Sequence, residues 1–209
     1  MPTKLCVSAF AAFAIVAPAL AAPIGPGGTL FLAPGEAEPF LGSNLLANIT
    51  LPFATPFYTG TLTSAVLTGD ATNPYGMNAL TFVYIVHNDP NSAHALARLT
   101  VNGYAGFLTD ASYSTLGPGT IPLFIDRQAN GDSLGFSFSS AMGHSLIQPG
   151  TDSAVLIIQT NATLFRENIA NVIDGAVTQV GTFAPVIPTP GAIALAGAGM
   201  LAAGRRRRA

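Results

Sequence analysis

Leu80-Thr-Phe-Val-Tyr-Ile-Val-His87 carries a large side chain at every second position. As a strand, it turns Leu80, Phe82, Tyr84 and Val86 to one face and Thr81, Val83, Ile85 and His87 to the other. β-branched and aromatic residues suit a pleated, half-buried surface, and apolar residues on both faces predict a central strand. The hydrophilic stretch His87-Asn-Asp-Pro-Asn-Ser92 reads as a turn into Ala95–Tyr104, its expected antiparallel neighbour.

The pattern repeats on both sides of this segment. Short apolar runs punctuated by Gly, Pro, Asn and Asp predict strands at Ile49–Phe53, Gly60–Thr68, Ala79–His87, Ala95–Tyr104, Gly119–Ile125, Ser133–Ser139, Ala154–Thr160 and Ala176–Phe183. The expectation is a single all-β domain over 22–185, an antiparallel β-sandwich of jelly-roll or Ig-like kind. Residues 22–45 are rich in Gly and Pro and predict an irregular lead-in or a short edge strand. In 165–174, Phe165, Ile169, Val172 and Ile173 share one helical face with Gly175 as a possible cap, so a short helix and an extended loop both stand. Ala184 to Pro190 is Pro-rich and reads as a stiff spacer.

Composition narrows the function. The formal net charge of −2 hides a more acidic body, because Lys4 and Arg205–Arg208 lie at the ends of the chain. Between them stand ten acidic residues against Arg98, Arg127 and Arg166, a balance of −7. A body without lysine has no surface for neutralising phosphates, so no nucleic-acid partner is expected. The only cysteine is Cys6, so the body has no disulfide, thiolate metal site or cysteine nucleophile and must rely on its core.

The two ends read as addresses. Met1–Ala21 has a basic start at Lys4, an apolar core from Leu5 to Leu20 and the small-x-small pattern Ala19-Leu20-Ala21, the features of a secretory signal peptide cut after Ala21. At the other end, Ile187-Pro188-Thr189-Pro190-Gly191 leads into AIALAGAGMLAA, Gly204 and Arg205, Arg206, Arg207 and Arg208. As a helix the run from Gly191 to Gly204 would be roughly 21 Å long, against a hydrocarbon core about 30 Å thick. Only Ile193, Leu195, Met200 and Leu201 are large, so membrane insertion is weakly favourable. The arginines stay on the cytoplasmic side and leave the body outside.

Pro-x-Pro, a short apolar helix and a terminal arginine cluster, in that order over 187–208, resemble the PEP-CTERM sorting signal. Thr189 stands where that family has Glu. The resemblance implies an exported bacterial protein of the cell envelope or extracellular matrix, held transiently in the inner membrane and processed by an exosortase-like membrane protease. Exopolysaccharide is a further possible partner. Pro188, Thr189, Pro190 and Gly191 would be read by the protease, and Arg205–Arg208 would retain the tail. The body, with Thr81-Phe-Val-Tyr-Ile-Val-His-Asn-Asp89 and Arg98-Leu-Thr-Val101, is diffusely similar to the single β domains that precede such signals.

Chemical motifs in the body are sparse, and no catalytic residue, metal or cofactor is assigned. Gly131-Asp-Ser-Leu-Gly135 matches Gly-x-Ser-x-Gly and the letters of the GDSL hydrolases, which makes a secreted esterase using Ser133 one alternative. That pattern works on a strand–turn–helix elbow, whereas Ser133 here leads into the alternating Gly-Phe-Ser-Phe-Ser139. His87, His94 and His144 show no metal-ligand spacing, and Asp126, Asn130, Gly131 and Asp132 lack the spacing of a calcium loop. Asp70-Ala-Thr-Asn73 and Asp89-Pro-Asn91 read as turns. Tyr58, Tyr75, Tyr104 and Tyr113 could stack on sugars, so a carbohydrate-binding module is the other alternative.

Overall fold

The computed structural model describes residues 22–31, 42–114 and 117–187. The signal-peptide positions Ala19 and Ala21 and the sorting-signal residues from Pro188 onward, including the expected C-terminal helix, lie outside the described residues. Within them the chain is all-β, in two six-stranded antiparallel sheets. Its strands are β1 (Ala22–Pro23), β2 (Thr29–Phe31), β3 (Asn44–Ala54), β4 (Thr59–Thr68), β5 (Thr81–Asn88) and β6 (Arg98–Val101), followed by β7 (Thr109–Ser114), β8 (Phe124–Arg127), β9 (Leu134–Ser137), β10 (Val155–Thr160), β11 (Phe165–Asp174) and β12 (Ala176–Pro185). One sheet runs β1-β7-β10-β5-β4-β3 and the other β12-β11-β6-β9-β8-β2.

The pairs β8·β9, β7·β10 and β6·β11 nest inside one another in chain order and alternate between the sheets, as in a rolled β ribbon. β5 is central, between β4 and β10, as its two apolar faces require. The sheets share one core. Phe82, Tyr84, Leu62, Leu156 and Ile158 of the first face Leu99, Val101, Ile125, Phe136 and Val172 of the second. Polar contacts cross this core in matched pairs. The Tyr84 hydroxyl donates to Phe183 O at 3.2 Å and so accepts from the Tyr104 hydroxyl at 2.6 Å. Burial pushes the pKa of both phenols up. Thr182 Oγ1 donates to Ser64 Oγ at 2.8 Å, joining β12 to β4.

Two expectations are corrected. Ala95–Tyr104 is not the neighbour of β5: its strand β6 pairs with β9 and β11 in the opposite sheet. The connection crosses between sheets, pinned by Asn88 Nδ2, which donates to His94 O and Ile147 O at 3.0 Å each. Residues 165–174 are neither helix nor loop. They form β11, paired along its whole length with β12, and Gly175 reverses the chain at φ +62°. A period of two governs the segment, since Ala170 and Val172 are fully buried while Ile169 between β-faces is exposed. The apolar spacing matched a helix by coincidence, and the long-range ladder decided the outcome.

Asp70 and Asn73 also do more than turn the chain. Asp70 is buried and accepts from Thr72 N, Thr72 Oγ1, Thr81 Oγ1 and Gln159 Nε2, while Asn73 Nδ2 reaches Leu80 O, Thr81 Oγ1 and Thr160 O. Loop 69–80 is thereby fastened over the ends of β5 and β10, where a buried carboxylate needs its lone pairs filled.

Candidate functional site

The strands run between two unlike ends. The tail end gathers loops 69–80, 102–108, 128–133 and 161–164 with residues 185–187, and the far end gathers 55–58, 89–97, 117–123 and 138–154. A surface cleft of about 520 Å³ opens at the far end between Pro118, Thr120, His144, Ser145, Thr151 and Asp152. Segment 117–121 can lie there because position 119 is glycine: at φ +154°, a Cβ would stand 2.5 Å from Ser153 O. Backbone bonds Thr120 N→Asp152 O and Ala154 N→Thr120 O, both 2.8 Å, fix the wall.

The sequence gives no spacing that joins the three histidines, yet all reach this end. His87 Nδ1 lies 2.7 Å from Asp152 Oδ1, and its Nε2 lies 3.6 Å from Asp89 Oδ1. Asp89 is held in turn by Thr59 Oγ1 at 2.7 Å. His94 pairs with Asp174 at 3.1 Å and stacks on Phe57, ring centroids 5.0 Å apart. His144 Nδ1 is buried with no hydrogen-bond partner among the described residues. Among these residues no three His, Cys, Asp or Glu side chains form a metal-binding group. Three hydroxyls, a carboxylate, an imidazole and three glycine backbones line this cleft beside Pro118 and Ile121, so it offers hydrogen-bonding groups to a polar ligand.

The other candidate residues are placed elsewhere. Ser133 is buried in the approach to β9, its hydroxyl donating to Asn102 Oδ1 at 2.8 Å. Gly135 owes its place to packing: a Cβ there would fall 1.8 Å from Arg98 Nη2, because the Arg98 side chain lies across it. Asp126 accepts both Arg98 Nη1 at 2.6 Å and Nη2 at 2.9 Å, and Asn130 Oδ1 accepts from Asp132 N. The Asp126 and Asn130 side-chain oxygens considered for calcium are thus engaged within the loop and its neighbours. Of the tyrosines considered for sugar stacking, Tyr58, Tyr104 and Tyr113 are core residues and offer no open ring face, and Tyr75 bonds Asp110.

Sequence reasoning also passed over Arg127, which is buried at the tail end with all five guanidinium N–H groups engaged. Nε donates to Gly131 O, Nη1 to Ile24 O and Thr109 Oγ1, and Nη2 to Tyr104 O and Phe107 O, at 2.7–3.0 Å. Burial lowers its pKa and raises that of Asp110 nearby in the same layer of loops. The one available signal was an isolated cation in an otherwise acidic body.

Fold and site together define a small all-β domain with a polar cleft opposite the end from which the chain continues. No family model matches the chain, and no curated protein or solved structure is significantly similar to it.

Proposed function

We propose that this chain is an exported, non-enzymatic protein of the bacterial cell envelope or extracellular matrix, sorted and processed through its C-terminal signal. The body serves as a structural or adhesive domain, a β-sandwich whose nested strand pairs favour the jelly-roll over the Ig-like arrangement. The observation that carries this reading is the sequence of three parts in the tail, Pro188-Thr-Pro190, an apolar run and Arg205–Arg208, which follows almost directly on β12. β12 is an edge strand ending at Pro185, so the signal is attached at a sheet margin where a protease can reach it.

The test is the intact mass of the protein from cells and from medium, in hosts with and without the sorting protease. Loss of residues 1–21 and of the chain beyond about Pro190, only with the protease present, is expected. A retained tail in both hosts sinks the reading. A second reading, a carbohydrate-binding module, draws on the hydroxyl-rich far-end cleft in place of the tyrosines. Glycan affinity that disappears on Asp152→Ala would favour it.

A further inference from the structure

The outer face of the first sheet buries carboxylates without a counter-charge. Ala111 and Tyr113 of β7 and Ile158 of β10 face the shared core, so Asp110, Ser112 and Gln159 face outward. Gln159 pairs with Asp110 on one side and Thr81 on the other, and loop 69–80 lays Asp70, Thr72 and Tyr75 over this row. Asp70, Asp110, Ser112 and Gln159 are 1, 5, 4 and 0% exposed. Among the described residues neither carboxylate has an ion-pair partner, and Arg127, in the same layer of loops, gives its five N–H groups to other acceptors. Buried charges are ordinarily paired or bound to a metal.

The hydrogen bonds leave three oxygens on this face unmatched. Asp70 has both oxygens filled, by Thr72 N, Thr72 Oγ1, Thr81 Oγ1 and Gln159 Nε2. Gln159 Nε2 donates to Asp70 Oδ2 at 3.0 Å and Thr72 Oγ1 at 2.8 Å, which turns its Oε1 away from those two acceptors. That Oε1 has no partner, and neither has Ser112 Oγ. Asp110 Oδ1 takes the Tyr75 hydroxyl, and its second oxygen has no hydrogen bond among the described residues. Side chains directly opposite on a ladder stand about 5 Å apart at Cβ, and a glutamine also reaches the diagonal neighbour, here Ser112. Oxygens that share a calcium ion stand up to about 5 Å apart, beyond hydrogen-bond reach of one another.

We propose that Asp110, Gln159 Oε1 and Ser112 Oγ hold a calcium ion between β7 and β10, beneath loop 69–80. A carboxylate, an amide oxygen and a hydroxyl are hard donors of the kind such cations take. Calcium tolerates irregular coordination, whereas magnesium demands a near-ideal octahedron and keeps several waters, which a face so closed to solvent disfavours. The ion supplies the positive charge this layer lacks and gives both orphaned oxygens a partner, while Asp70 positions the Gln159 amide from behind. Burial raises the Asp110 pKa, with the Tyr75 hydrogen bond opposing, so a proton competes with the ion for this carboxylate. The proposal is independent of the reading of the tail.

The test titrates calcium chloride into the full chain, purified in mild detergent and stripped with EDTA, by isothermal titration calorimetry with melting curves alongside. One ion per chain is expected, with a Kd of roughly 10⁻³ M or tighter, and magnesium chloride should bind at least about tenfold more weakly. With calcium at about a hundred times its Kd, the melting temperature should rise by about 5 °C or more. Asp110→Asn should weaken binding at least about tenfold and Ser112→Ala about threefold, while Asp132→Asn leaves it unchanged. Ser112→Ala removes a hydroxyl alone, so it decides the matter if Asp110→Asn does not fold. Absence of calcium binding, in heat and melting temperature alike, overturns the proposal and leaves the orphaned oxygens to water. Binding unchanged in Asp110→Asn and Ser112→Ala, or lost in Asp132→Asn, puts the ion elsewhere and overturns it too. Magnesium bound as tightly as calcium overturns the choice of ion.

Discussion

Replacing Arg127 by methionine tests how a small disulfide-free domain holds its loops. The side chain is 4% exposed and ties four elements together: Ile24 after β1, Thr109 at the start of β7, the 104–107 loop and the turn at Gly131. Hydrogen bonds to a charged donor contribute about 1.5–3 kcal/mol each, so simple addition over all five would exceed the whole stability of a typical domain. Two effects reduce the loss. The buried guanidinium carries a desolvation penalty of several kcal/mol that R127M removes, and carbonyls at the end of the sandwich can turn partly to water. The net expectation is a loss of about 3–5 kcal/mol. At about 2–4 °C per kcal/mol for a domain of this size, the melting temperature falls by about 6–20 °C. R127K keeps the charge but not the fork and should fall between. Calorimetry with urea unfolding is the assay. A drop of less than about 3 °C for R127M, with an unchanged urea slope, would refute the view that this side chain fastens the tail-end loops.

Other expectations are smaller. G60A should cost about 2–3 kcal/mol, since its Cβ would stand 2.0 Å from the His87 carbonyl under the Phe53 ring, whereas G135A displaces a part-exposed side-chain end, the Arg98 guanidinium with its bonds to Asp126, Ser137 and Thr100, and should cost about 1 kcal/mol. Equal losses in urea unfolding would contradict this difference. Asp110 has its pKa raised by burial, with the Tyr75 hydrogen bond opposing, so the folded state holds its proton more tightly than the unfolded state. The stability of the native chain relative to D110N is therefore greatest below the ordinary carboxylate pKa and falls as pH rises through the raised value. Paired urea titrations at pH 3 and 7 check the sign, and a relative stability that rises with pH would contradict it. S133A should lose about 0.5–1.5 kcal/mol with its bond to Asn102. Hydrolysis of a simple ester that vanishes in S133A, without loss of stability, would instead revive the esterase.

The sequence made the strong strands legible because their alternation reflects two buried faces. Gly60–Thr68 and Ala154–Thr160 nearly coincide with β4 and β10, and Ala176–Phe183 lies within β12. β7 stayed invisible: Thr109-Asp-Ala-Ser-Tyr-Ser114 is polar by composition and buried by position, with Ala111 and Tyr113 alone facing the core. β11 was obscured because Phe165, Ile169, Val172 and Ile173 also fit one helical face, and the ladder partners that decide for a strand lie in β6 and β12. The pairings of His87 with Asp152 and of His94 with Asp174 were equally hidden, since they join residues 65 and 80 positions apart. At Gly131–Gly135 the sequence letters carried no sign that the second glycine makes room for an arginine.

The β11–β12 hairpin has a mechanical consequence. Ten cross-strand pairs, from Phe165–Pro185 to Asp174–Ala176, follow one another along β12, and their hydrogen bonds run across the strand axis. Tension between a tail held at one pole and a ligand gripped at the other would load these bonds together in shear, instead of unzipping them one after another. A domain so strung resists extraction by the same ladder that closes its sheet.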